Sequence, residues 1–247
     1  MMEIQSTERY IVDEIKKQKT LCFPLIDSEN TKTMEIAKRL EQLGASAILV
    51  GGSSTSDQIE LSNFVTELKK NVKIPIILFP GNITGISPTA DAILFSSLLN
   101  SENPYYITGA QAQGALVINK YNIEAIPTGY LIIGDGSTAW FIGQAKSIPF
   151  SKANIAVMYA LAALYMGMRF LYLEAGSGAS QNIPPEMVSI VRKFYKGILI
   201  VGGGINSAET AKKISDAGAD IIVIGTMIER EKDWETEFVN IMKAIRN

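Results

Sequence analysis

The stretch Tyr172-Leu-Glu-Ala-Gly-Ser-Gly178 holds the residues best suited to chemistry. An apolar run, Arg169-Phe-Leu-Tyr-Leu173, delivers one carboxylate, Glu174, into a loop of two glycines and a serine. A carboxylate placed at the end of a buried strand can accept a proton from a substrate hydroxyl, or serve only as half of a structural ion pair. Tyr172 shares its side of the strand, because side chains alternate. It could orient a polar substrate, or simply pack. Two more apolar runs end in glycine, Ile198-Leu-Ile-Val-Gly-Gly-Gly204 and Asp220-Ile-Ile-Val-Ile-Gly-Thr226. Glycine lets backbone N–H groups approach phosphate oxygens, and a following helix N-terminus favours negative charge. These glycines could also do no more than make tight turns. Asp27 and Ser53 end two earlier apolar runs. A carboxylate and a hydroxyl are oxygen donors suited to Mg²⁺, whose other positions commonly go to water and substrate phosphate. The alternative is that each caps the helix that follows.

Composition removes several chemistries. The chain has 247 residues, no histidine and one cysteine, Cys22. The absence of histidine excludes Ser-His-Asp hydrolysis, Cys-His catalysis and His-ligated metals. One cysteine excludes a disulfide framework and a Cys-based zinc site, and its apolar neighbours point to a buried structural thiol. Acid-base work therefore falls to Asp, Glu, Tyr or Lys. The formal net charge is −2 and no long basic run occurs, which argues against nucleic acid as a partner. With 47% hydrophobic and 19% charged residues, a sizeable core is expected. The N-terminus is charged early (Glu3, Glu8, Arg9) and lacks a signal-peptide core. The uncharged segment Ala153 to Met168 is shorter than the ~20 residues of a membrane span. It reads as a buried or subunit-facing helix, so a cytoplasmic homo-oligomer is expected, with Trp140 or Phe141 near the contact.

The elements that position these residues follow from periodicity. Helices are predicted over Ser6–Gln18, Thr31–Leu43 (stopped by Gly44), Asp57–Lys70, Pro104–Lys120, Ser151–Met168, Pro185–Tyr195, Ser207–Ala217 and Asp233–Ala244. Strands are predicted over Leu21–Ile26, Ala47–Val50, Ile74–Phe79, Ala92–Phe95, Ala125–Ile133, Phe170–Leu173, Ile198–Val201 and Ile221–Ile224, with Thr138–Ile142 as an extension of the fifth. Short apolar strands alternating with helices indicate a parallel sheet covered on both faces. About eight such units match one (β/α)8 barrel spanning 1–247, a modified TIM barrel. The connection after the third strand is about ten residues long and broken by Gly81, Gly85 and Pro88, so a helix is missing there. A doubly wound sheet is the competitor. Its glycine fingerprint is incomplete, because Ser207 replaces the third glycine after Gly202-Gly-Gly204. In a barrel the C-terminal strand ends converge, which would bring Asp27, Ser53, Pro80-Gly81, Glu174, Gly203-Gly204 and Gly225-Thr226 together.

With those residues in view, the chain resembles the geranylgeranylglyceryl phosphate synthases of archaeal ether-lipid synthesis. Tyr172-Leu-Glu-Ala-Gly-Ser-Gly-Ala179, Val201-Gly-Gly-Gly-Ile205 and Ile224-Gly-Thr226 carry the likeness. Leu25-Ile-Asp27, Val50-Gly-Gly-Ser53 and Phe79-Pro-Gly81 extend it over nearly the whole chain. The resemblance implies a Mg²⁺-dependent prenyltransferase that joins geranylgeranyl diphosphate to the C3 hydroxyl of sn-glycerol 1-phosphate. That is the first ether bond of archaeal membrane lipids. It places the metal at Asp27 and Ser53 and the catalytic carboxylate at Glu174. It places glycerol phosphate at Tyr172, Leu173, Glu174, Ala175, Gly176, Ser177 and Gly178, with Gly203, Gly204, Gly225 and Thr226. One departure stands out: after Asp27 the family often has proline, acid, lysine, and here the residues are Ser28-Glu29-Asn30. A cationic contact to the diphosphate from that loop is therefore missing. Two other readings are a relative using a longer, heptaprenyl donor or acting as a phosphosugar-isomerase-like barrel, and a non-catalytic phosphate-binding barrel. Small or apolar residues around Ile107 to Val117 could line the prenyl groove, or form only a core helix.

Overall fold

The computed structural model describes residues 5–27, 33–51, 57–177, 179, 181–231 and 233–246. The described chain opens with α1 (Ser6–Gln18), β1 (Leu21–Ile26), α2 (Thr33–Gln42), β2 (Ile48–Val50), α3 (Gln58–Asn71) and β3 (Ile76–Leu78). A single 3-10 turn, Ile83–Gly85, separates β3 from β4 (Ala92–Leu98). A π turn at Tyr105–Gly109 runs into α4 (Ala110–Lys120), followed by β5 (Glu124–Ile132), α5 (Thr138–Gly143) and α6 (Ala153–Tyr165). The chain ends with β6 (Phe170–Glu174), α7 (Pro185–Phe194), β7 (Ile198–Gly202), α8 (Ala208–Asp216), β8 (Ile221–Ile224), α9 (Thr226–Arg230) and α10 (Trp234–Arg246).

The eight strands are parallel, pair in sequence order and close through β1 and β8. Alternation along each strand sorts side chains into two layers. Phe23, Leu49, Ile77, Leu94, Phe170 and Ile200 fill the barrel interior. Cys22, Ile48, Leu78, Ile93, Leu171 and Val201 face the helices. Cys22 is fully buried, and burial pushes its thiol up, so it is a structural thiol. The bottom of the barrel is closed by α1. Its first N–H groups, on Thr7 and Glu8, each donate to the Glu124 carboxylate at 2.7 Å. Glu8 in turn accepts two bonds from Arg169, at 2.6 and 2.7 Å. A carboxylate at a helix N-terminus satisfies donors that have no partner inside the helix.

The predicted gap in the helical layer is present: only the 3-10 turn stands between β3 and β4. One expectation is corrected. Thr138 to Ile142 does not extend the fifth strand; it forms α5. Gly134 and Gly136, with φ of 78° and 80°, turn the chain away from the sheet. Ser137 Oγ then accepts from Trp140 N at 3.2 Å and starts a helix. Ala139 and Trp140 pack on Leu98, Ile132 and Ala145, which accounts for the apolar composition that resembled a strand. The helix Thr226–Arg230 lies where no element is predicted.

The uncharged segment is α6. Its Ala156, Ala160 and Ala163 form the buried stripe, while Met158 and Tyr165 stand 67% and 80% exposed. Met166, just beyond it, and Phe194 of α7 add to this apolar surface. Among the described residues, no helix is long and apolar enough to cross a membrane.

Candidate active site

A cleft of about 660 Å³ opens at the C-terminal strand ends. Asp27, Tyr172, Glu174, Gly176, Ser177, Gly203, Gly204, Gly225 and Thr226 all line it, as do Pro80 and Gly81. Parallel strands account for this, since every strand delivers its last residues to the same rim. Leu173 and Ala175 do not join them. Both side chains belong to the outer, helix-facing layer, as strand alternation requires, so only their backbones could meet a ligand. Ser53 and Gly178 lie outside the described residues. The helix that Ser53 might have capped is instead capped by Asp57, which accepts from Ile59 N at 2.7 Å and Glu60 N at 3.1 Å.

Glu174 is 6% exposed and faces the barrel interior beside Tyr172. Among the described residues it has no ion pair with lysine or arginine, so the ion-pair alternative does not hold. Burial pushes its carboxyl above the ordinary range. The Tyr172 phenol and the Gly176 N–H, which donates to Glu174 Oε1 at 2.6 Å, pull it partly back. Among the described residues Tyr172 Oη is buried without a hydrogen bond of full geometry. Burial, and after it the Glu174 charge, raise the phenols of Tyr130 and Tyr172 well above 10, so both remain protonated donors. Phe79, Tyr130 and Tyr172 form a three-ring cluster with centroids 5.3 to 5.4 Å apart.

The glycines on β7 serve two ends. Gly203 and Gly204 have φ of 89° and 71°, a region that disfavours other residues. Gly202 is needed for a different reason. A Cβ there would lie 2.4 Å from Tyr172 Oη and 3.0 Å from Glu174 Oε2, and one on Gly203 would lie 2.7 Å from Glu174 Oε1. The missing side chains on β7 are what let the β6 pair fit. Gly225 differs again: the nearest described atom to a Cβ there is Leu25 O, at 3.5 Å. Internal packing does not demand that glycine, which is consistent with close approach of a ligand. Ser177 and Thr226 share a hydrogen bond of 2.9 Å between their hydroxyls and join the β6 and β8 loops.

Asp27 has an acidic neighbour. Burial raises the Glu229 carboxyl, and the Asp27 charge raises it further. Among the described residues no three Asp, Glu, Cys or His side chains form a metal cluster. Two carboxylates beside a cleft nevertheless suit Mg²⁺, which usually takes one or two carboxylates and fills its shell with water and phosphate. The sequence reading missed Glu229, because it sits on the short helix after Gly225. It also missed Tyr130, which meets Tyr172 only through the register of β5 on β6.

The cleft has a second, apolar arm. It extends along α4 and the space left by the missing helix, past Ile83, Ile86, Ile93, Tyr106 and Ile118. Of the predicted groove segment, Ala110, Gln111 and Gly114 line it, whereas Ile107 and Val117 do not.

Comparison with known proteins adds to this geometry. Residues 13–245 match the PcrB family. The geranylgeranylglyceryl phosphate synthase of Nitrosopumilus maritimus is 58% identical over 242 residues, covering 97% of this chain and 96% of that protein. Its counterpart in Pyrococcus horikoshii is 49% identical, covering 100% and 97%. The crystal structure of (S)-3-O-geranylgeranylglyceryl phosphate synthase from Thermoplasma acidophilum, in complex with substrate sn-glycerol-1-phosphate, is similar with a TM-score of 0.91. It has 35% sequence identity and coverage of 100% and 99%. A thiamine phosphate pyrophosphorylase from Pyrococcus furiosus, at 14% identity and a TM-score of 0.60, shares the fold alone.

The two kinds of glycine make a testable pair. Gly202→Ala should destabilise the fold by about 1–3 kcal/mol through overpacking against Tyr172 and Glu174. Gly225→Ala should cost less. Urea unfolding of both variants measures the difference.

Proposed function

The chain belongs to the PcrB family, and from that premise we infer that it is a prenyltransferase. It joins geranylgeranyl diphosphate to the C3 hydroxyl of sn-glycerol 1-phosphate, giving geranylgeranylglyceryl phosphate and diphosphate. One observation carries this reading: a single cleft runs from a buried carboxylate and glycine-rich loops into an apolar arm. A small phosphorylated alcohol suits the first end and an isoprenoid tail suits the second. A phosphosugar isomerase has no use for the apolar arm, and a binding scaffold has none for an unpaired buried carboxylate. The C20 donor is preferred over a heptaprenyl one because the similar proteins above are geranylgeranyl enzymes.

In the proposed reaction the glycerol phosphate lies with its phosphate against Gly203-Gly204 and Gly225-Thr226, with Ser177 closing over it. Its C3 hydroxyl then reaches Glu174. The Tyr172 hydroxyl, buried without a partner, can donate to the substrate and so recover a desolvation cost of about 1–3 kcal/mol. The allylic C1–O bond breaks and its electron pair leaves with diphosphate. The cation that develops on the allyl group is delocalised, and the ring faces of Phe79, Tyr130 and Tyr172 favour positive charge. The C3 oxygen bonds to C1, and its proton passes to Glu174. The raised proton affinity of Glu174 suits it to that task.

We propose that Asp27 would hold Mg²⁺, with Glu229 beside it and with Ser53 as the family resemblance implies. Bound there, it would neutralise charge on the departing diphosphate. Arg230, which also lines the cleft, offers a cation in place of the lysine that the segment after Asp27 lacks. We further propose that the reaction takes place in the cytoplasm, and that the exposed face of α6 joins two copies of the chain.

The following outcomes test this reading. Glu174→Gln should lower turnover by about 10²-fold or more while leaving glycerol-phosphate affinity nearly unchanged. The same carboxyl sets the sign of the pH dependence. It must be ionised to accept a proton, so the acid limb of turnover lies above 4.5 and disappears in Glu174→Gln. Native-state stability runs the other way. The protein is more stable while Glu174 is protonated, and loses stability as pH rises from 4.5 through the raised native value. Asp27→Ala should weaken Mg²⁺-dependent donor binding in calorimetric titration and spare glycerol-phosphate binding; wild-type metal dependence would make Asp27 a structural residue only. Sedimentation should give a concentration-dependent dimer or larger assembly, reduced by Tyr165→Glu.

A further inference from the structure

We propose that Ser137 is a positioning residue for Glu174: packed against Gly176, it holds the Gly176 N–H on the carboxylate. That role rests on the reading of Glu174 as the base. The N–H of Gly176 donates to Glu174 Oε1 at 2.6 Å. A hydrogen bond to an ionised group is stronger than one between neutral groups, so whatever fixes Gly176 also fixes how well the charged carboxylate is supported.

Gly176 is held from more than one side. Just before it, Ala175 N donates to Gly202 O at 3.1 Å. Toward β7, a Cβ on Gly203 would lie 2.7 Å from Gly176 N. Against its Cα stands Ser137: a Cβ on Gly176 would lie 2.1 Å from Ser137 Cβ and 2.5 Å from Ser137 Oγ. The φ of 104° at Gly176 already favours glycine, and Ser137 fills the space that a side chain would need. Ser137 is 7% exposed and does not line the cleft, whereas Gly176 does. It therefore meets the site through Gly176. Ser137 is itself fixed by α5, which its Oγ caps at Trp140 N. At the far end of α5 the Gly143 carbonyl accepts from Ser101 Oγ at 2.6 Å. A Cβ on Gly143 would lie 2.4 Å from Leu98 Cδ2, so that end is pressed onto β4. The short helix is thus a strut from the end of β4 to the Glu174 loop.

Tyr130 of β5 and Tyr172 of β6 are the titratable groups that face Glu174. The end of β7 presents glycine, α5 carries no titratable side chain, and Asp135 before it is exposed. Asp27, Glu229, Arg230 and Glu231 line the same cleft. Substitution of Ser137 leaves all of these groups in place, so a shift of Glu174 reports the Gly176 contact.

Ser137→Gly and Ser137→Ala in the full chain test the assignment. Glycine removes the Cβ that packs on Gly176 and keeps most of the cap's stability, while alanine keeps the Cβ and loses the cap. Positioning and capping therefore give opposite orders. The Gly176 N–H holds the Glu174 carboxyl down, so loosening it raises that carboxyl. Ser137→Gly should raise it by about one pH unit, read by infrared titration of the metal-free protein against Glu174→Gln, and the acid limb of turnover should move up with it. Ser137→Ala should leave both in place, although it should lose more thermal stability than Ser137→Gly. A carboxyl unmoved in Ser137→Gly, or moved in both variants in proportion to the stability lost, overturns the role of Ser137. A carboxyl that moves while the acid limb stays supports the positioning and overturns Glu174 as the base.

Discussion

The C-terminal rim of this barrel is organised around Glu174, buried with no cation beside it among the described residues. A carboxylate in that position resists ionisation, because desolvation penalises its charged form. The chain offsets the penalty with little: one backbone N–H, from Gly176, and the nearby dipole of Tyr172. What remains is a raised proton affinity, as the proposed role of a base requires. The arrangement is possible only because the end of β7 and the residue after it are Gly202 and Gly203, where a Cβ would meet the phenol or the carboxylate. The glycines that look like phosphate ligands are thus also the packing partners of the proposed base.

A second constraint is the omission of a helix after β3. In a complete barrel that helix would cover the outer faces of β3 and β4. Here a 3-10 turn stands in its place, and the cleft continues from the rim along α4. The cleft therefore has two chemically opposed ends. One is polar and rich in backbone donors, the other lined by isoleucines and small residues. The three-ring cluster of Phe79, Tyr130 and Tyr172 lies in the same cleft, where a developing allylic cation would be stabilised.

The two ends of the barrel divide stability from chemistry. At the bottom, charges are paired: Glu124 holds the N-terminus of α1, and Arg169 holds Glu8. At the top, among the described residues, Glu174 has no ion pair, Tyr172 Oη has no hydrogen-bond partner, and the Asp27 charge raises the Glu229 carboxyl. Perturbed titratable groups gathered at one rim mark a candidate functional site in physical terms.

Much of this was legible in the sequence. The alternation of short apolar runs with amphipathic helices determined the parallel barrel, because a strand buried on both faces must be apolar throughout. The broken segment after Phe79 revealed the missing helix, since Gly81, Gly85 and Pro88 cannot sit inside one. Glu174 and the glycines were visible as strand-end residues, and parallel strands bring such ends together. Tertiary structure decided the rest. Leu173 and Ala175 point away from the cleft because strand geometry alternates regardless of motif membership. Thr138 to Ile142 became a helix because its apolar side chains found partners on Leu98 and Ala145, which no local period encodes. Tyr130 joined Tyr172, and Glu229 joined Asp27, through strand register and barrel closure. Those contacts link residues far apart in the chain, and only the closed sheet sets their distance.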